Sequence, residues 1–191
     1  MAPEPSTPES ISVLFVCLGN ICRSPMAEAV FRHQSASLPP TSRLTFSTID
    51  SAGTGAYHVH SPPDPRTMAT LRAHNITNYS HSARKVRAAD FTTFDYILAM
   101  DEENLEDLLE ARARAVGRGG GGGGGAREDG EGVAVVRLIG DFREDGSVVE
   151  KVGGGEVVGD PYYGGNKGFE TVYKQLVRFS EGFLKFLEAK A

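Results

Sequence analysis

The chain has 191 residues, 40% hydrophobic and 24% charged, which is ordinary globular composition and enough length for one domain with a sizeable core. Its formal net charge of −5 argues against a broad nucleic-acid or acidic-membrane surface, so any basic site must be local. No apolar stretch is long enough to span a bilayer, the N-terminus lacks the basic and apolar regions of a secretory signal, and both cysteines fall in one loop, which excludes a disulfide framework and fits a reducing, cytosolic setting.

Residues 1–10 are rich in Pro, Ser, Thr and Glu and read as a disordered tail ahead of a single domain over 11–191. Ile11, Val13, Leu14, Phe15 and Val16 form an apolar run expected to be a buried strand of a parallel sheet. Met26, Ala29, Val30 and His33 then fall at helical spacing, with Ser24 as N-cap and Pro25 as first helical residue. That helix ends near Leu38, because Pro39-Pro40 cannot continue it. Leu44, Phe46 and Ile49 suggest a second strand leading into Asp50-Ser51-Ala52-Gly53. Asp64-Pro65 starts a short helix through Leu71 and His74. Tyr96 to Met100 is a third strand, and Glu102 to Ala115 a helix with Leu105, Leu108 and Leu109 on one face. Val133 to Ile139 is a fourth strand. Phe169 to Leu187 is an amphipathic helix whose core stripe is Phe169, Val172, Tyr173, Leu176, Phe183 and Leu187. Strands alternating with helices predict an α/β layered fold with a parallel sheet and a ligand beyond the C-terminal strand ends. Cys17, Ser51 and Asp101 each follow a predicted strand and can meet there.

Two stretches interrupt the pattern. Residues 117–132 are a glycine-rich run, which loses too much entropy on ordering to be a strand or helix and reads as a flexible surface insertion. It lacks the Gly-Lys-Ser/Thr ending of a phosphate loop. Residues 143–159, with Gly153-Gly154-Gly155, read as a hairpin or a loose loop.

The stretch Cys17-Leu18-Gly19-Asn20-Ile21-Cys22-Arg23-Ser24-Pro25 joins the first strand to the first helix. Backbone N–H groups from Leu18 to Ser24 can converge there as an anion-binding nest, and the helix N-terminus adds partial positive charge. Gly19 supplies backbone conformations closed to other residues, and Asn20 tolerates the left-handed region. Arg23 offers a planar fork of donors for two oxygens of one phosphate. Cys17 faces the same hollow, where its thiolate is itself an anion in an anion hole. A nucleophile, an oxyanion cradle and a guanidinium this close together point to covalent phosphoryl transfer. No later Cys or His cluster completes a tetrahedral set, so no metal is expected.

Val13 to Arg32 (VLFVCLGNICRSPMAEAVFR) resembles the phosphate-binding loop region of low-molecular-weight protein-tyrosine phosphatases. Asp160-Pro161-Tyr162-Tyr163-Gly164 resembles that family's acid loop. Between them, Ser51-Ala52-Gly53-Thr54, Ser61-Pro62-Pro63-Asp64, Ser80-His81-Ser82-Ala83-Arg84 and the segment Phe94 to Asp101 resemble it in the same order. The likeness runs from Ile11 to about Leu187, apart from the two insertions. It implies a three-layer sandwich in which a four-stranded parallel sheet is flanked by helices, with the phosphate loop after the first strand. It also implies hydrolysis of phosphotyrosyl proteins or small aryl phosphates, acid phosphatase activity included. No cofactor, nucleic-acid partner or membrane span is expected. The implied enzyme is cytoplasmic, and monomeric or weakly self-associating.

On that resemblance, Cys17 attacks phosphorus, while Arg23 and the loop residues Leu18, Gly19, Asn20, Ile21, Cys22 and Ser24 hold the phosphate oxygens. A tyrosyl leaving oxygen has a conjugate-acid pKa of about 10 and needs a proton, which Asp160 supplies before acting as base on water. Asn20, Ser24, Ser51 and His81 match a network that props the loop, with His81 as a structural histidine. Ser24 is a helix cap, a donor to the thiolate, or both. Asp101 orients His81 or Arg23, or caps the helix after it. Tyr57, Tyr162 and Tyr163 wall the cleft and stack on an aryl phosphate, or are ordinary partly exposed aromatics. Tyr162 and Tyr163 are also candidates for phosphorylation. Cys22 is a loop-packing residue or the redox partner that captures oxidised Cys17 as a disulfide. Two other readings compete. Arsenate reduction on this scaffold relies on later cysteines, and this chain has none after Cys22. A non-catalytic phosphotyrosine-binding module would lack Cys17, Arg23 or Asp160, and all three are present.

Overall fold

An unbroken apolar run suits a strand covered on both faces, and the first such run is the centre of the sheet. The computed structural model describes residues 10–118, 132–162 and 165–191. Strand β1 (Ser10–Cys17) pairs in parallel with β2 (Thr45–Gly53) on one side and β3 (Tyr96–Ala99) on the other, and β3 pairs with β4 (Val135–Leu138). The sheet order is therefore β2-β1-β3-β4, with all four strands parallel. Val13 stands opposite Ile49 and Tyr96, and Cys17 opposite Gly53.

Successive side chains of a strand point to opposite faces, and β1 divides its residues that way. Val13, Phe15 and Cys17 enter one core, with Met26, Val30 and Phe31 of α1 (Arg23–Ala36), Leu71 of α2 (Pro65–Ala73) and Phe169, Leu176 and Phe183 of α5 (Gly165–Lys190). Leu14 and Val16 enter the other, with Phe91 of the one-turn α3 (Asp90–Thr93) and Leu105 and Leu108 of α4 (Glu102–Arg118). Helices thus cover both faces of the sheet, giving the expected three layers. Among the described residues, no helix is long and apolar enough to cross a membrane.

Some expected boundaries move. Ser10 already belongs to β1, and residues 1–9 lie outside the described residues. The first helix begins at Arg23 with Cys22 as N-cap, not at Pro25 with Ser24 as cap, because the Ser24 hydroxyl is turned toward Cys17 instead. Asp64 does cap α2, accepting from Arg66 N at 2.8 Å with Pro65 behind it. α4 continues through Gly117 and Arg118, and the rest of the glycine run, 119–131, lies outside the described residues. Residues 143–159 open as a tight turn: Arg143 N donates to Ser147 O at 2.9 Å, Gly146 N donates back to Arg143 O at 2.9 Å, and Phe142 bridges Val148 in antiparallel fashion.

Phe183 anchors the α1–α5 face. Its ring lies 5.6 Å from Phe31, 5.2 Å from Tyr96 and 4.6 Å from Phe142, and it is fully buried. Truncation leaves a cavity that these rigid rings cannot fill. Phe183→Ala is expected to cost about 3–5 kcal/mol of stability, read as a lower denaturant midpoint with an unchanged slope.

Candidate active site

The loop after β1 is held by its carbonyls. Cys17 O accepts from Thr54 N at 2.9 Å, Leu18 O from Gly55 N at 2.9 Å, Ile21 O from Asp64 N at 2.8 Å and Cys22 O from Thr67 Oγ1 at 3.3 Å. The carbonyl side of the loop is thereby occupied by the segments that follow β2 and begin α2. The N–H side is not. Among the described residues, no acceptor meets the backbone N–H groups of Leu18, Gly19, Ile21, Cys22, Arg23 or Ser24. Asn20 N is the exception, donating to Cys17 Sγ at 3.3 Å. Open backbone donors at the start of a helix are the kind of groups an anion nest uses. Gly53 makes the close approach possible, since a Cβ there would stand 2.7 Å from Leu18 O.

Asn20, at φ 56°, is the left-handed residue of the loop. Gly19 is not; a Cβ there would stand 3.0 Å from His58 Cδ2, so its smallness serves clearance rather than backbone freedom. The strained Asn20 backbone is held by its side chain. Nδ2 donates to Ser24 Oγ and Ser51 Oγ, each at 3.0 Å, and Oδ1 accepts from Arg84 N at 2.9 Å and meets His81 Nε2 at 2.8 Å. Because Oδ1 can only accept, His81 Nε2 carries the proton in this contact. Ser24 Oγ also lies 3.1 Å from Cys17 Sγ and donates to Ala52 O at 3.3 Å. Its role is beside the sulfur, and it caps no helix.

Behind this network lies a carboxylate that falls inside the Val13 to Arg32 stretch but is given no role there. Glu28 of α1 is buried, and its Oε2 accepts from Ser51 Oγ at 2.7 Å and Tyr79 Oη at 2.8 Å, with His81 Nδ1 3.3 Å away; Arg32 meets Oε1 at 2.7 Å. Burial pushes the Glu28 carboxyl up to about 7, although Ser51, Arg32 and Tyr79 all pull the other way. Burial likewise pushes the His81 imidazole down, against the pull of Asp50. Asp50 is held by Arg84, with both Nε and Nη2 2.9 Å from its Oδ2.

Arg23 is buried at the start of α1. Its Nη1 pairs with Asp101 Oδ2 and donates to Val158 O at 3.1 Å, and its Nη2 stands 3.5 Å from Asp160 Oδ2. Burial works against the guanidinium's charge, but the neighbouring Cys17, Asp101 and Asp160 together hold it above its ordinary value. Of the alternatives for Asp101, it orients Arg23 rather than His81, and its Oδ1 also accepts from Asn104 N at 2.8 Å at the start of α4. A cleft of about 460 Å³ is lined by Cys17, Leu18, Ile21, Cys22, Arg23, Tyr57, Asp160 and Tyr162 among others. Both cysteines are free; burial, helped by Asp64 and Cys17, pushes the Cys22 thiol up to about 12.

The structure thus brings Cys17, Arg23, Asp160, Tyr57 and Tyr162 to one cleft, with Asn20, Ser24, Ser51 and His81 behind it and Asp101 on Arg23. Tyr163 lies outside the described residues. The sequence reading missed His58 on the cleft wall, Glu28 and Tyr79 in the buried network, and the Val158 carbonyl on Arg23. The one signal for Glu28 was its place beside the apolar Met26, Ala29 and Val30 of α1.

A carboxyl whose folded pKa is raised binds its proton more tightly when folded. Its contribution is full below the unfolded value near 4.3 and is lost as pH rises through about 7. The melting temperature of Glu28→Gln should therefore gain on that of wild type between roughly pH 5 and 8. A difference that stays flat with pH would refute the assignment.

Known proteins give the site its context. A family model described as low molecular weight phosphotyrosine protein phosphatase matches residues 12–118. A low molecular weight phosphotyrosine protein phosphatase of Schizosaccharomyces pombe is 46% identical over 177 residues, covering 93% of this chain and 97% of that one. The Homo sapiens protein of the same description is 40% identical over 174 residues, covering 91% and 94%. A solved protein tyrosine phosphatase from Entamoeba histolytica is 32% identical with a TM-score of 0.67, covering 95% of this chain and 100% of that one. The chain belongs to the low molecular weight phosphotyrosine protein phosphatases, a hydrolase family that needs no metal.

Proposed function

We propose that this chain hydrolyses phosphotyrosine in proteins, and small aryl phosphates, through a phosphocysteine formed on Cys17. The observation that supports this most is the set of loop N–H groups with no acceptor around a buried sulfur, on a cleft shared with Arg23 and Asp160. Donors fixed in advance stabilise charge on phosphoryl oxygens without reorganising during the reaction. Asp101 and Val158 O occupy Nη1 of Arg23; its other edge, Nε with an Nη2 that stands 3.5 Å from Asp160 Oδ2, is the one that would fork two oxygens. Leu18, Ile21, Tyr57 and Tyr162 offer an apolar and aromatic wall to the leaving aryl group.

The Cys17 thiolate attacks phosphorus, so that an S–P bond forms as the P–O bond to the aryl group breaks. Asp160 gives its proton to the departing oxygen, which would otherwise leave as a phenolate with a conjugate-acid pKa of about 10. Asp160, now a carboxylate, takes a proton from the water that attacks phosphorus. The S–P bond breaks, the thiolate returns and inorganic phosphate leaves. Asn20, Ser24, Ser51 and His81 act through the shape of the loop, and His81 moves no proton in this scheme. Peroxide oxidation of Cys17 to sulfenic acid, followed by attack of Cys22 with loss of water, gives a disulfide that thiols reverse. A nucleophilic thiol must stay reduced, which suits a cytoplasmic setting.

Cys17→Ser is expected to abolish turnover of p-nitrophenyl phosphate while inorganic phosphate still binds. Retained turnover would rule out the phosphocysteine. Asp160→Asn should lower kcat about 10²–10⁴-fold and remove the basic limb of the pH–rate profile. An unchanged profile would move the acid elsewhere.

A further inference from the structure

The segment that delivers Asp160 is fixed by a carboxylate the reaction above does not use. Asp141 ends the 3-10 turn that follows β4 and is fully buried. Its Oδ1 accepts from Gly155 N at 2.9 Å, and its Oδ2 accepts from Gly153 N at 3.0 Å and from Arg137 Nη1 at 3.3 Å. Arg137 Nη1 also donates to Val149 O at 2.8 Å, and Val149 N donates to Asp141 O at 2.8 Å. The Asp141 side chain therefore holds the glycine run, while its backbone carbonyl and Arg137 hold the outgoing limb of the 143–149 turn.

Beyond the clasp, the chain has little freedom. A Cβ on Gly140 would stand 1.9 Å from Glu156 O, and one on Gly155 would stand 2.2 Å from Gly140 O, so two bare backbones cross in contact. The Glu156 carboxylate then meets Arg178 and Gln175 of α5, each at 2.7 Å. Val158 N donates to Met100 O at 2.8 Å, and Val158 O accepts from Arg23 at 3.1 Å. Only Gly159 separates Val158 from Asp160.

We propose that Asp141 is a positioning residue for the general acid: by binding the N–H groups of Gly153 and Gly155, its carboxylate sets the path that brings Asp160 to the cleft. The inference rests on the reading of Asp160 as the acid. An asparagine at 141 presents an amide N–H where one of these donors points, so it breaks one hydrogen bond while nearly keeping the volume.

The test compares wild type, Asp141→Asn, Asp160→Asn and the double variant on phenyl phosphate and p-nitrophenyl phosphate. Misplacing a catalytic group by about 1 Å costs up to 10²-fold. Asp141→Asn should lower kcat on phenyl phosphate by about 10- to 100-fold and on p-nitrophenyl phosphate, whose leaving group needs a proton less, by much less. Inhibition by inorganic phosphate should change far less than kcat on phenyl phosphate, because Asp101 still holds Nη1 of Arg23 when Val158 shifts and the Cys17 loop makes no contact with Asp141. In the Asp160→Asn background the Asp141 change should have no further effect on the substrate ratio, as expected for two groups acting through one. Equal losses on both substrates, or effects that multiply in the double variant, would overturn the proposal. An Asp160→Asn variant without substrate discrimination would overturn the acid reading itself, a distinct result. Should Asp141→Asn fail to fold, Arg137→Gln loosens the same clasp from its more accessible side and should shift the ratio in the same direction; an unchanged ratio there would also refute the link.

Discussion

A left-handed backbone at Asn20, braced by its own side chain, is the constraint on which this site depends. Left-handed backbone costs most L-residues roughly 1–2 kcal/mol, and asparagine, here at φ 56°, is one of the few that tolerate it. Here the amide occupies all its hydrogen-bonding positions, with Ser24, Ser51, His81 and Arg84. Those contacts reach the loop, the end of β2 and the segment at 81–84 at once. The turn they enforce lets carbonyls face the neighbouring segments while Asn20 N faces the sulfur. A different residue at position 20 would lose the brace, and the loop would be free to turn its donors elsewhere.

Arg23 connects that loop to two others. Asp101, at the end of β3, holds one terminal nitrogen, and the Val158 carbonyl shares it. The guanidinium is thereby a fixed part, oriented before any phosphate arrives. The same contacts tie Arg23 to the backbone that carries Asp160, through residues 78 and 135 positions away from it. On the proposed reading, clamp and acid are therefore preorganised together.

Much of this was legible in the chain itself. The strand–loop–helix at 11–36 is written in local periodicity, and local signals survive folding because neighbours in sequence stay neighbours in space. The same holds for Asp64-Pro65 at the start of α2. What could not be read is contact at long range. Glu28 looks like an ordinary polar helix position, and its burial depends on Tyr79 and His81 folding over α1. Ser24 before Pro25 is a sound cap signal, yet the hydroxyl goes to sulfur because Asn20 and Ala52 place partners there. The stretch at 143–159 reads as a hairpin or a loose loop, with its glycines on the loose side. Those glycines instead permit backbone to lie on backbone beside a buried carboxylate, which composition alone does not reveal.

The position of β4 has a consequence for where the connections of such a chain can lengthen. It is a short border strand, bonded among the described residues to β3 alone. Residues added to a connection at either of its ends would leave the pairing of β1 with its two neighbours undisturbed, and with it the loop from Cys17 to Ser24 into which β1 leads.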